Sequence, residues 1–137
     1  MTLNIPRIGI AVLIKNDQSH ILLGRRRHGP GKETWAPPGG HLEFGETPEE
    51  GAKREALEEI GIVLQSVRFL GMTNNFFEIE QKHYLSLFME GHTFAASQNL
   101  EPHKWEEWAW FALSHLPSAL FKPLENFIRG NVYRTHL

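Results

Sequence analysis

The stretch GHLEFGETPEEGAKREALEEIGI, residues 40–62, carries both a complete helix signal and an unusual grouping of acids. Thr47 can serve as N-cap, Pro48 suits the first helical position, and Glu50 completes a T-x-x-E capping box. Gly61 stands where a helix C-terminus favours a left-handed residue. The predicted helix therefore runs from about Pro48 to Ile60. Along it, Ala52, Ala56 and Ile60 form a narrow apolar stripe at spacing four, suited to packing on a sheet.

On the same helix Glu55, Glu58 and Glu59 fall within an arc of about 100°, at roughly 100° per residue. Three crowded acids repel and raise one another's pKa values unless a cation sits among them. Their oxygens suit hard ions, so Mg²⁺ or Mn²⁺ is the natural occupant. A solvated acidic face, with i,i+4 pairs from Glu50 to Arg54 and from Arg54 to Glu58, is the competing explanation. Context favours the cation. Gly39 and Gly40 precede the helix in a Pro-rich loop, where missing side chains let backbone groups approach a ligand, and Glu46 adds a fourth acid at the same end.

The full spacing is G-x5-E-x7-R-E-U-x-E-E-x-G-U, with U aliphatic and a small Ala56 at its first position. Seven residue types are fixed, each found at roughly one position in 15, so chance gives about 10⁻⁸ per start point. This pattern is the Nudix box, and the chain resembles the MutT-like branch of the Nudix hydrolases. The resemblance extends from about Ile8 to Pro117, through GRRRHGPGKETWAPPGGHLEFGE, NNFFEIEQKHYLSLFMEG and EPHKWEEWAWFALSHLP.

The resemblance implies a role for each of these residues. The fold should be an α/β/α sandwich around a mixed β-sheet. Glu55, Glu58 and Glu59 should hold the metal, with a carbonyl of Gly39 or Gly40 completing the shell. Glu55 is the first choice to orient or deprotonate the attacking water. Arg54 should hold the box together by pairing with Glu46 or Glu55, and Glu106 or Glu107 could bring a further acid from outside the box. Arg25 or Arg26 could meet the phosphates. Trp35, with Phe76 or Phe77, is a candidate to line a base slot, and His41 a candidate substrate contact. Ala36 has no polar side chain, so the base preference of purine-selective relatives does not transfer.

The expected substrates are nucleoside diphosphate-linked compounds, with nucleoside triphosphates, standard or oxidised, placed first. ADP-ribose and dinucleoside polyphosphates are the alternatives within the enzyme class. A regulatory Nudix module without activity is the alternative outside it, but such modules usually have eroded box acids, and here all are intact.

The rest of the chain agrees with this frame. At 137 residues, 41% apolar and 22% charged, it fits one globular domain spanning 1–137. A net charge of −2 argues against a general nucleic-acid surface. No apolar run is long enough to span a bilayer, and the start reads as a first strand, so a cytoplasmic location is the default. The absence of cysteine excludes disulfides, thiol nucleophiles and Cys-ligated zinc. Ile8–Ile14 and His20–Arg27 read as a hairpin about the turn at 16–19, and His28–Gly40 as loop. Further strands are expected at Val67–Met72, His83–Glu90 and Trp108–Leu113. In the second of these Tyr84, Ser86 and Phe88 alternate with Leu85, Leu87 and Met89, which suits a strand covered on both faces. Leu120, Leu124, Phe127 and Ile128 recur at helical spacing, with Pro123 expected to kink or delay that helix. Trp105, Trp108 and Trp110 could be core, or part of a homodimer interface.

Overall fold

Alternation along the first strand determines the architecture. In a computed structural model, describing residues 4–130 and 133, β1 (Arg7–Lys15) sends Ile10, Val12 and Ile14 to one face and Ala11 and Leu13 to the other. The first set packs with Ala52, Ala56 and Ile60 of helix α1 (Pro48–Ile60). The second packs with Leu23, Phe88 and Leu124, beneath helix α2 (Lys122–Ile128). A strand buried on both faces reads as a continuous apolar run, as this one does. Two cores with a sheet between them make the expected α/β/α sandwich.

The remaining strands are β2 (Ile21–Arg26), β3 (Trp35–Ala36), β4 (Gly39–His41), β5 (Val67–Phe77), β6 (Lys82–His92) and β7 (Trp105–Phe111). They order as β3-β2-β1-β6-β5, with β4 also on β1 and β7 also on β2. The β1–β6 pair is parallel and the other pairs are antiparallel, so the sheet is mixed. The expected hairpin exists but is short, since β1 and β2 pair only at Lys15 and Ile21. Beyond that point β1 takes β4 as its partner and β2 takes β7. The start of β1 and the end of β2 thus border an opening.

Helix α1 matches its predicted ends. Thr47 and Glu50 form both bonds of the capping box, Pro48 occupies the first turn, and Gly61 closes the helix at φ 68°. Pro123 sits at the start of α2 and so delays that helix rather than kinking it, because the first turn has no partner for its missing N–H. Leu124 and Phe127 join the lower core, whereas Ile128 is exposed. The stretch 28–40 is not loop throughout, since β3 and β4 flank Pro37-Pro38. Strands of two and three residues are too short to show periodicity. Gly39-Gly40 enters one because β1 leaves an edge to be paired, and because a Cβ on Gly39 would lie 1.9 Å from the Ile10 carbonyl oxygen. Strand β5 runs on to Phe77, past the expected Met72, and β7 starts at Trp105, three residues early.

Candidate active site

Helix α1 presents its acids to an open cleft of about 750 Å³ beside β1, β4 and the end of β2. Arg54 is the hub of the helix's upper half. Its Nε and Nη2 donate to Glu46 Oε2 and Oε1 at 2.6 and 3.0 Å, a two-pronged pair. Nη1 donates to Glu55 Oε1 at 2.8 Å and to Glu58 Oε2 at 3.3 Å, and Nη2 also reaches the His41 carbonyl at 3.0 Å. Arg54 therefore pairs with both Glu46 and Glu55, not with one of them. Its hydrogen bonds hold the Glu46 carboxyl below the usual range, and Glu46, then Glu55, hold Arg54 firmly protonated.

One turn along, Glu59 is 2% exposed. Its Oε1 accepts from the Gly39 N–H at 2.7 Å and its Oε2 from the Trp105 indole N–H at 2.6 Å. Burial, and then the charge of Glu55, push the Glu59 carboxyl well above the ordinary range. Glu55 lies against Gly40 so closely that a Cβ there would meet its Oε1 at 2.5 Å. The double glycine thus lets β4 pass between β1 and two buried carboxylates. Glu58 remains half exposed at the rim.

Among the described residues, no three carboxylate or imidazole side chains are arranged as a preformed metal-ligand set. The donor chemistry nonetheless fits a hard divalent cation. Glu55, Glu58 and Glu59 offer only oxygen donors to one cleft, and the repulsion of Glu59 by Glu55 is what such an ion would relieve. Each oxygen that accepts one N–H keeps a further lone pair for a metal.

The cleft is also lined by Gly39, Gly40, His41 and Arg26, four of the residues singled out in the sequence. The Arg26 guanidinium lies 4.4 Å from the Phe121 ring and 5.9 Å from that of Trp105, with Nε donating to the Pro30 carbonyl. Burial lowers its pKa, the signature of a cation taken from water. The His41 ring stacks on Tyr84, 3.1 Å from its hydroxyl, and partial burial and Arg7 lower its pKa.

Other candidates lie elsewhere. Arg25 is turned away from the cleft and pairs with Glu106 and Glu107, each at 2.9 Å. Glu106 and Glu107 likewise lie outside the lining of the cleft, so neither is placed to add an acid from outside the box. Trp35 packs into the lower core against Phe111, and Phe76 is exposed. Phe77, the alternative to Phe76 and next on the alternating strand, lines the cleft, as does Phe121, whose N–H is held by the Trp35 carbonyl. Trp105, Tyr84 and Phe121 had no motif to mark them. Tyr84 and Trp105 reach the cleft through strand pairing with Arg7 and Arg26, 77 and 79 residues away, and Phe121 through its bond to Trp35, 86 residues away. Trp105 is buried, and Trp108 and Trp110 pack on the upper core within this chain.

Residues 5–134 match the NUDIX domain family. The oxidized purine nucleoside triphosphate hydrolase of Mus musculus is 31% identical over 125 residues, covering 88% of this chain and 76% of that protein. The crystal structure of a MutT NUDIX hydrolase from Burkholderia pseudomallei superposes with a TM-score of 0.80 at 31% identity, covering 86% of this chain and 92% of that one. A MutT protein from Methanosarcina mazei Go1 gives 0.73 at 27% identity, over 92% and 95%. With its glycine strand, Arg54 hub and box acids on one cleft, this chain belongs to the NUDIX domain family, as a MutT-like pyrophosphohydrolase.

Proposed function

We propose that the enzyme is a Mg²⁺-dependent nucleoside triphosphate pyrophosphohydrolase, cleaving a standard or oxidised NTP or dNTP to the monophosphate and pyrophosphate. The observation that carries this reading is the buried Glu55–Glu59 pair opening onto a cleft whose other wall is aromatic. A polyphosphate binds where cations gather, and a base binds where flat apolar rings line a wall. The mouse relative's activity on oxidised purine nucleoside triphosphates agrees with the reading.

Glu55, Glu58 and Glu59 would hold the cation, which supplies charge neutralisation at the cleaved phosphate and acidifies water. The protein's own residues do the remainder. Glu55 orients the attacking water and accepts its proton, while Arg54 keeps that carboxylate in place. Water oxygen bonds to one phosphorus of the α–β anhydride link as the bond from that phosphorus to the bridging oxygen breaks, and the products are the monophosphate and pyrophosphate. Arg26, the cation stacked on Phe121 at the cleft wall, meets a substrate phosphate or base carbonyl. Phe77 and Phe121, stacked with centroids 5.8 Å apart, form the apolar wall for the base.

The test is pyrophosphate and phosphate release from a panel of nucleoside triphosphates, their oxidised forms, ADP-ribose and dinucleoside polyphosphates in Mg²⁺, comparing wild type with Glu59→Gln. Turnover of one or more triphosphates, reduced at least hundredfold in the variant, is the expected result. Preferred turnover of ADP-ribose would overturn the substrate assignment, and full activity in Glu59→Gln the metal assignment.

A further inference from the structure

Trp105 opens β7 and is 4% exposed. Its indole N–H and the Gly39 N–H, coming from two different strands, take the two oxygens of one carboxylate rooted on α1. The last torsion of a glutamate is broad, so a single hydrogen bond leaves the plane of the carboxylate free, and one on each oxygen fixes it. The indole is itself held. The Trp108 ring lies 4.4 Å away, and the Arg26 guanidinium lies over the Trp105 ring at 5.9 Å. A Cβ on Gly24 would come within 2.8 Å of both indoles, so β2 is bare where they pack.

The backbone around Trp105 is fastened to the same turn of α1. Asn99 Nδ2 donates to the Trp105 carbonyl at 3.0 Å, and the N–H groups of Gln98 and Leu100 donate to the carbonyls of Ile60 and Glu59, both at 3.0 Å. Packing alone does not require an indole N–H to find a partner at this place. Trp108, tilted against Trp105, buries its own Nε1 without one among the described residues. The aim of the Trp105 N–H at Glu59 is therefore a specific feature of the site.

We infer that Trp105 is a positioning residue for Glu59: together with the Gly39 N–H, its indole N–H sets the orientation in which Glu59 offers its remaining lone pairs to the divalent cation of the cleft. This rests on the reading of Glu59 as a ligand of that cation. Partners that orient a ligand in this way typically change metal affinity or activity by about 10–100-fold when removed.

Mn²⁺ binding to the substrate-free protein, followed by electron paramagnetic resonance, tests this with Trp105→Phe and Glu59→Gln. Trp105→Phe keeps the ring packing and removes only the donor. Its Mn²⁺ affinity should fall roughly tenfold, with kcat falling by a similar factor and KM for the nucleotide changing less. The indole ¹H–¹⁵N resonance that disappears in Trp105→Phe should move when wild type is titrated with Mg²⁺ alone, while that of Trp110, outside the cleft, stays. Wild-type Mn²⁺ affinity in Trp105→Phe, with affinity lost in Glu59→Gln, would overturn the role of Trp105 alone. Wild-type affinity in Glu59→Gln would instead overturn the ligand reading on which it rests. Should Trp105→Phe fail to fold, the Mg²⁺ titration of wild type decides, and an indole spectrum unmoved at saturation overturns the inference.

Discussion

Two arginines, each among several carboxylates, show how burial converts the same chemistry into different outcomes. Arg54 has a side chain 20% exposed, and its partners Glu46 and Glu55 are 11% and 10% exposed. Arg25 is 38% exposed, and its partners Glu106 and Glu107 are 26% and 52% exposed. Water screens the second cluster, and an exposed ion pair of that kind contributes about 0–1 kcal/mol. The first cluster is shielded, so removing its cation leaves acids facing one another with little solvent between them. The comparison also explains why Arg25 and Arg26, adjacent in sequence, part company. One pairs with acids at the surface, and the other lies on an aromatic ring with no carboxylate hydrogen-bonded to it among the described residues.

The largest effect is expected from Arg54→Met, which should lower stability by about 2–4 kcal/mol and cut turnover more than hundredfold. Thermal unfolding and steady-state kinetics read both. A loss no larger than that of Arg25→Met would remove the distinction between the two clusters. Next, Arg26→Gln should raise KM about tenfold, as the loss of roughly 1.4 kcal/mol of charge-assisted bonding implies, with a smaller change in kcat. Unchanged KM would take Arg26 out of substrate binding.

A third, intermediate case sharpens the comparison. Glu90 is buried between β1 and β5, with Lys15 at 3.0 Å and Arg68 at 2.9 Å. Burial raises its pKa, but the two hydrogen-bonded cations outweigh that and leave it below the usual carboxylate range. A depressed folded-state pKa contributes stability above the unfolded value, about 4.3, and loses it as pH falls through the folded value. Glu90→Gln should therefore cost about 1 kcal/mol at neutral pH, and the gap from wild type should close below about pH 4. Denaturant unfolding at pH 7 and pH 3.5 checks the sign, and a gap that widens on acidification would contradict it. The smallest effect is expected from Arg25→Gln, within about 0.5 kcal/mol and without change in kcat/KM.

What was legible in the sequence follows the range of the interactions involved. Helix α1 could be read to the residue because its caps and apolar stripe lie within 15 residues of one another. The box acids and their arginine partner were legible for the same reason. Strands β3 and β4 were not, because two glycines become a strand only when β1 offers an edge. Trp105 and Phe121 reach the cleft through contacts across 46 and 86 residues, to Glu59 and to Trp35, and local spacing carries no record of either. Trp35 and Phe76 were one step out of place for a simpler reason. Strand alternation sends neighbours to opposite faces, and the face toward the cleft depends on a register that only the folded sheet defines.

The central claim is that the carboxylates facing the cleft, and not the Glu106–Glu107 pair outside it, carry the reaction. Mg²⁺-dependent release of pyrophosphate from nucleoside triphosphates, measured side by side for Glu55→Gln and Glu107→Gln, tests it most directly. The account predicts a loss of at least hundredfold in kcat for Glu55→Gln and wild-type rates for Glu107→Gln. Comparable rates in the two variants, or a loss confined to Glu107→Gln, would contradict it.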